Sequence, residues 1–281
     1  MPRVWIPLAA AGVIAAGALA MAGRSPAASP DAVTRGRQLF AANCAVCHGE
    51  QGDGGGMATH MLVVPPRDFR RGTFKFRSTP TGSLPTDADL FQTVTDGLRW
   101  TGMVGRPDLS AADRRALVAF IKTFSPRFTL DQPRAPVHIP TRPPTTAALV
   151  REGKAIHADA GCGECHGAAG RGDGPSARGQ RDAWGHPTRP SDLTWRPLKR
   201  GADATSVYRT IVTGLDGTPM PSYAEALDPN QVWALVAFLE TLVPSDHRVP
   251  PASVLGEERT AWMMLRMGMM GMGMMRGRMM R

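Results

Sequence analysis

Hydrophobic residues recur along this chain with the period of an amphipathic α-helix, and no alternation typical of a β-strand competes with them. The first helical segments cover about residues 31–42 and 147–158, and each of them leads into a pair of cysteines. Because every strong pattern has the helical period, the sequence predicts an all-α protein.

Start and stop signals predict two further helices in each half of the chain. A middle helix follows Thr86, which begins a capping box, and it ends at Gly97; its counterpart ends at Gly214. The last helices are predicted to begin at Ser110 and Asp228. Their apolar stripes consist of Leu117, Phe120, Ile121 and Phe124 in the first half, and of Val232, Leu235, Val236 and Leu239 in the second.

Three landmarks of the first half recur in the second at a nearly constant offset. The segment 44–49, Cys-Ala-Val-Cys-His-Gly, returns 118 residues later as Cys-Gly-Glu-Cys-His-Gly. The segment 116–120, Ala-Leu-Val-Ala-Phe, returns with the same offset, and the Gly-Leu-x-x-Thr-x-Met segment 97–103 returns 117 residues later. The chain is therefore predicted to contain two copies of one domain.

The repeat sets the predicted domain boundaries. We expect the two domains at residues 30–127 and 146–243. The proline-rich residues 128–145 between them are typical of an extended, semi-rigid linker.

The two Cys-x-x-Cys-His segments carry the chemistry. Cysteines three apart with an adjacent histidine are what covalent attachment of haem c requires. A zinc ribbon places its cysteine pairs about 15–20 residues apart, whereas 114 residues separate Cys47 from Cys162. A thioredoxin-like pair would need a βαβ context, which the pattern does not show. Haem is favoured over these two alternatives, with thioether bonds predicted at Cys44, Cys47, Cys162 and Cys165.

Each iron needs axial ligands, and their identity separates a carrier from an enzyme. The motif histidines, His48 and His166, are the predicted proximal ligands, and Met103 and Met220 occupy equivalent positions in the two copies. This repetition favours these methionines as the sixth ligands. The rival candidates for the sixth position are Met57, His60 and Met61 in the first copy and His157 and His186 in the second.

On both Cys-x-x-Cys-His-Gly motifs and the loop 214–221, which reads Gly-x-x-x-Thr-x-Met-Pro, the sequence resembles the class I cytochrome c family in a tandem, dihaem form. The resemblance implies two cytochrome c-like helical domains in which the first and last helices cross and a covalently bound haem c fills each core. Gly36 and Gly153 resemble the close-contact glycine of the family's first helix.

The resemblance also implies a function. We expect an exported protein that relays single electrons through two His/Met-ligated haems and transforms no substrate itself. Its partners would be redox proteins, a dehydrogenase or a terminal oxidase. The alternatives are a dihaem peroxidase-like enzyme with one open haem site and a subunit anchored to a larger membrane oxidase.

Four side chains are candidates for holding the haem propionates, because these anions attract positively charged groups and neutral N–H donors. The candidates are Arg67, Arg70, Arg189 and Trp195. A solvated loop charge is the alternative for each of them.

The formal net charge is +9. No block of six like charges appears and basic residues are not interleaved with aromatic ones, so nucleic acid is not an expected partner. The excess of basic side chains favours an acidic protein surface or a membrane surface over nucleic acid as the partner.

The two ends of the chain carry their own signals. Residues 1–22 contain an apolar run after Arg3, which predicts either a cleaved export signal or a retained membrane anchor and therefore a periplasmic or membrane-surface location.

Residues 244–281 form a Met-, Arg- and Gly-rich tail. A disordered low-complexity tail is one interpretation; the others are docking to a membrane or partner and Cu(I) capture by thioethers, which are soft ligands.

Overall fold

The structure is a computed structural model, and it describes residues 28–201 and 203–244. The predicted export signal or anchor and almost the whole Met-rich tail lie outside these residues. The helices are α1 (Pro30–Asn43), α2 (Ala45–His48), a 3-10 helix (Thr59–Met61), α3 (Asp87–Asp96), α4 (Ala111–Lys122), α5 (Arg127–Leu130), α6 (Ala147–Asp159), α7 (Cys162–His166), α8 (Ala204–Thr213) and α9 (Pro229–Thr241).

The part of the chain that the structure describes contains isolated β-bridges and no β-strand, which confirms the all-α prediction. Within these residues, no helix combines the length and the apolar character needed to span a bilayer.

The longer helices have the capped ends that the sequence predicted. Thr86 caps α3 through a complete capping box with Asp89, and Asp228 caps α9 through a second box with Gln231. These side chains satisfy backbone N–H groups that have no partner inside the helix. α8 ends at Gly214, whose φ of 64° lies in the left-handed region that glycine tolerates.

The first and last helices of each half cross at a very short distance. α1 packs on α4, and α6 packs on α9 in the same way. A Cβ atom on Gly36 would lie 2.0 Å from the carbonyl oxygen of Ala116, and one on Gly153 would lie 1.9 Å from that of Ala234. Only a residue without a side chain fits either crossing.

Each half has its own apolar core on these helices. Phe40 of α1 contacts Phe120 of α4 with ring centroids 5.4 Å apart. Phe124 lies two residues beyond the end of α4, yet its ring centroid is 5.1 Å from that of Phe40. In the second half, α9 buries Val232, Trp233, Ala234, Leu235, Val236, Ala237, Phe238 and Leu239.

The proline-rich segment between the halves begins with the short helix α5, which the sequence did not predict, and then continues without helix or strand over residues 131–146, where it is bonded to both halves. The N–H of Val137 donates to the carbonyl of Ser78 at 2.8 Å. On the other side, Trp233 donates its indole N–H to the carbonyl of Pro140 at 3.2 Å, and Arg142 forms an ion pair with Glu240.

A buried ion pair connects the two halves. The side chain of Arg77 is fully buried and donates to the Asp216 carboxylate and to the Thr213 carbonyl, each at 2.8 Å. Asp216 also accepts hydrogen bonds from the Thr81 hydroxyl and the Gly82 N–H. In the opposite direction, Arg200 of the second half reaches α3 and donates to the side chain of Gln92 at 3.0 Å.

We expect Asp216→Ala to lower the free energy of unfolding by about 3–5 kcal/mol, because the substitution leaves the buried Arg77 guanidinium without its counter-charge. Chemical denaturation of the full chain measures this loss. Asp131→Ala is the control, since it removes a half-exposed i,i+4 pair with Arg127 and should cost less than about 1 kcal/mol. Equal losses in the two variants would contradict this role of Asp216.

Candidate functional site

Each half of the molecule contains a cavity that brings its motif residues together. Cys44, Cys47, His48 and Met103 all line the first cavity. The second cavity consists of two adjoining parts. Both parts are lined by Cys162, His166 and Met220, and Cys165 lines one of them.

Each motif forms a short helix that the hydrophobic pattern did not predict, and its first cysteine lies at the start of that helix: Cys44 directly precedes α2, and Cys162 begins α7. In α2 the His48 N–H donates to the Cys44 carbonyl at 2.9 Å, which places the thiol and the imidazole on one turn. The glycine turn that follows closes against this helix, because Gly54 donates its N–H to the His48 carbonyl at 2.9 Å. Gly172 makes the matching bond to His166 at 2.8 Å.

Both motif histidines are held with one nitrogen bonded and the other left for a ligand. His48 Nδ1 lies 3.3 Å from the carbonyl oxygen of Arg67, and His166 Nδ1 lies 2.9 Å from that of Ser191. A carbonyl can only accept, so Nδ1 carries the proton and Nε2 keeps its lone pair. Burial lowers the pKa of His48 to about 4 and also lowers that of His166. The neutral imidazole is the form that binds a metal.

The two methionine loops have the same hydrogen bonds. The Met103 N–H donates to the Thr101 hydroxyl at 3.1 Å, and its carbonyl accepts from the Leu98 N–H at 2.8 Å. In the second half, Met220 bonds in the same way to Thr218 and Leu215, at 3.3 and 3.1 Å. Val104 follows the first methionine where Pro221 follows the second, and the loops keep these bonds in both cases.

The cavity chemistry fits a covalently bound haem. Burial raises the pKa of the Cys44 thiol to about 12 and raises the pKa of Cys162 as well, which disfavours the thiolates that zinc or disulfide exchange would need. No group of three or more His, Cys, Asp or Glu side chains suited to a metal ion occurs within residues 28–201 and 203–244. The remaining walls are mostly apolar and include Phe40, Leu90, Val94 and Ile121 in the first cavity and Val207, Ile211, Leu235 and Leu239 in the second.

Two of the four candidates for propionate contacts line a cavity, and the other two do not. Arg67 lines the first cavity and Arg189 lines the second. The exposed Arg70 instead forms an ion pair with the buried Asp68 carboxylate, at 2.9 Å. Neither Arg70 nor Trp195 is among the residues that line the two cavities.

Two lysines in the cavity walls were missed by the sequence analysis. Lys75 and Lys199 both line the second cavity, and Lys75 also lines the first. The sequence does contain a signal that the two lysines are equivalent in the repeat. Lys75 and Lys199 are 124 residues apart, and the same offset relates Asp68 to Asp192. This offset exceeds the 117 to 118 residues of the other landmarks, because the second copy contains an insertion of six to seven residues, and the equivalence is therefore not seen at the main offset.

Most rival axial candidates lie outside the cavities. Met57 is 81% exposed, and Met61 and His60 are also exposed. His186 is exposed and lies 3.7 Å from the Asp182 carboxylate. His157 differs from these residues because it is buried and lines the second cavity, at the position that Phe40 occupies in the first.

The Nε2 atom of His157 is buried without a hydrogen-bond partner. We therefore expect His157→Phe, which copies the first domain, to raise the free energy of unfolding by about 1–3 kcal/mol. Denaturant unfolding of the haem-loaded chain provides the measurement, and Phe40→His should produce a loss in the first domain. A loss of stability in His157→Phe would contradict the packing role and would assign a bonding role to Nε2.

Two family models match the chain, one in each half. The model described as "Cytochrome C oxidase, cbb3-type, subunit III" matches residues 31–121, and the model described as "Cytochrome c" matches residues 150–243. Together they cover both Cys-x-x-Cys-His motifs and both methionine loops.

A curated relative and a solved structure are similar to the chain as well. The cbb3-type cytochrome c oxidase subunit FixP of Azorhizobium caulinodans is 27% identical over 215 residues, which cover 74% of this chain and 58% of that protein. This chain therefore matches less than two thirds of the relative's length. A chain of the reducing HAO-like protein complex of Kuenenia stuttgartiensis is 38% identical with a TM-score of 0.73, covering 75% of this chain and 96% of that one.

The paired cavities, the two family matches and these relatives agree with one another. The chain belongs to the c-type cytochromes and has tandem cytochrome c domains, for which covalently bound haem c is the implied cofactor and electron transfer the general role.

Proposed function

We propose that this protein is an exported dihaem c-type cytochrome that relays single electrons between redox partners through two His/Met-ligated haems. The observation that supports this most strongly is the duplication of the whole site. Each cavity combines a Cys-x-x-Cys-His helix with a methionine loop of the same hydrogen-bonding pattern. A carrier with two closed sites needs this duplication, whereas a peroxidase-like enzyme needs one open site.

In this proposal the chain holds each haem through four residues. Cys44 and Cys47 would form the thioether bonds to the first haem, and His48 and Met103 would bind its iron. Cys162, Cys165, His166 and Met220 have the same roles in the second domain. The haem supplies a one-electron iron couple, and methionine ligation raises its potential.

The surroundings of the ligands support reversible electron transfer. The carbonyls of Arg67 and Ser191 fix the imidazole orientation through Nδ1, as outer-shell partners of metal-bound histidines do. The apolar walls limit the access of water to the cavity, which favours the reduced form because its iron carries less charge.

The proposed partners are redox proteins. The similarity to an oxidase subunit favours a terminal oxidase of the respiratory chain as the electron acceptor, with a dehydrogenase on the donor side. The location that we propose is the periplasm or the exported face of the cytoplasmic membrane. Membrane attachment would depend on residues 1–22.

Mass spectrometry and a reductive titration of the full chain test this proposal. We expect a mass increase equal to two haems and the uptake of two electrons per chain, with no turnover of hydrogen peroxide. One haem per chain would contradict the dihaem carrier. Rapid peroxide turnover would favour the peroxidase-like alternative.

A further inference from the structure

The two cavities share a wall that belongs to the first domain. Lys75 and Phe76 line both cavities, and so do Leu98 and Thr101. Phe76 also lines the other part of the second cavity. The second cavity is therefore completed by residues of the first domain, and residues that line both cavities lie between them.

This wall is fixed by buried contacts between the domains. Arg77, which follows Phe76 directly, is anchored to Asp216 and Thr213 of the second domain, at 2.8 Å from each. On the opposite side, the Arg99 N–H donates to the carbonyl of Lys199 at 3.1 Å. Lys75 and Lys199 thus lie on segments that are each bonded to the other domain.

Positive charge is concentrated at the wall. The pKa of Lys75 is lowered to about 8, mainly by burial and also by the charges of Arg67 and Lys199, whereas Asp182 opposes the shift. Burial also lowers the pKa of Arg67, to about 10. Since the charged neighbours of Lys75 include two cations and only one carboxylate, binding of further anions would stabilise the charged lysine. Haem propionates are anions of this kind.

We propose that Lys75 is a propionate anchor shared by both haems, which places the two haem edges on either side of the Phe76 wall for electron exchange between them. The inference rests on the proposed function, because it requires a haem in each cavity. Arg67 and Arg189 each line one cavity and serve a single haem, whereas Lys75 is the cation common to both. In the exchange one haem is oxidised as the other is reduced, and one electron moves without a co-reactant.

The test is a spectroelectrochemical titration of the haem-loaded full chain. A nearby positive charge stabilises the reduced haem, so Lys75→Gln should shift both reduction steps to lower potential. Lys75→Arg keeps the charge and should retain both steps close to their original potentials. Lys154→Gln makes the same charge change on the exposed surface of α6 and should shift neither step.

A shift of one step alone in Lys75→Gln, or of neither step, would overturn the shared anchor. The wild-type chain provides a second measurement that needs no variant. Its two oxidised haems should broaden each other's electron paramagnetic resonance signals, and reduction of one should sharpen the signal of the other. Independent signals would overturn the proposed arrangement.

These outcomes are distinct from failure of the proposed function. Fewer than two haems or fewer than two reduction steps in the wild-type chain would contradict the dihaem carrier itself. Two haems with normal reduction steps that Lys75→Gln leaves unchanged would contradict the shared anchor alone.

Discussion

Met220→His is expected to lower the midpoint potential of one haem by on the order of 0.2 V, a fraction of the roughly 0.8 V that axial ligands span. Methionine sulfur favours the reduced iron, whereas a second imidazole stabilises the oxidised form. The loop that carries Met220 is fixed by bonds to Thr218 and Leu215, so the new side chain starts from the same backbone position. A potentiometric titration of the two reduction steps measures the shift.

Met57→His is the matched control for this substitution. Met57 is 81% exposed and lines neither cavity, so the same chemical change there should leave both potentials unaltered. Met103→His should lower the other reduction step. If Met220→His leaves both steps in place, Met220 is not an axial ligand.

Gly153→Ala is expected to lower the free energy of unfolding by about 3 kcal/mol or more. The added Cβ would lie 1.9 Å from the backbone oxygen of Ala234, so α6 and α9 would have to separate. Their crossing lies beside the second cavity, where Leu235 lines the wall. This cost exceeds the gain of about 1 kcal/mol that alanine brings to a helix interior. Denaturant unfolding of the haem-loaded chain gives the value.

Lys154→Ala provides the comparison for this variant, because Lys154 is the exposed neighbour of Gly153 on the same helix. It should change the unfolding free energy by less than about 0.5 kcal/mol. Gly36→Ala should destabilise the first domain as Gly153→Ala destabilises the second, since its Cβ would lie 2.0 Å from the Ala116 oxygen. A stability close to that of the wild type in either glycine variant would contradict the close crossing.

Local signals predicted most of the helices. Thr86 and Asp228 cap their helices with the side chains that the sequence indicated, and Gly97 and Gly214 end the middle helices. The predicted apolar stripes form the cores on α4 and α9. These features depend on residues three or four positions apart, so one stretch of chain contains the information. The short helices α2 and α7 have too few residues to show a hydrophobic period, and the pattern did not find them.

Features that join distant segments could not be predicted in this way. The buried bond between Arg77 and Asp216 connects residues 139 positions apart, and nothing near either residue indicates the other. Nothing in the sequence near Lys75 distinguishes it from the other basic residues, because the wall that the two cavities share exists only in the folded chain. The sequence alone indicates that His157 aligns with Phe40, whereas the lack of a partner for its buried Nε2 follows only from the folded chain.

The absorption spectrum of the oxidised, haem-loaded chain shows whether methionine closes both haem sites. A weak red band reports charge transfer from methionine sulfur to ferric iron, and its intensity is normalised per haem. We predict that both haems contribute to the band and that both resist added cyanide and peroxide. A band from one haem only, with rapid binding of peroxide at the other, would contradict the carrier with two closed His/Met sites.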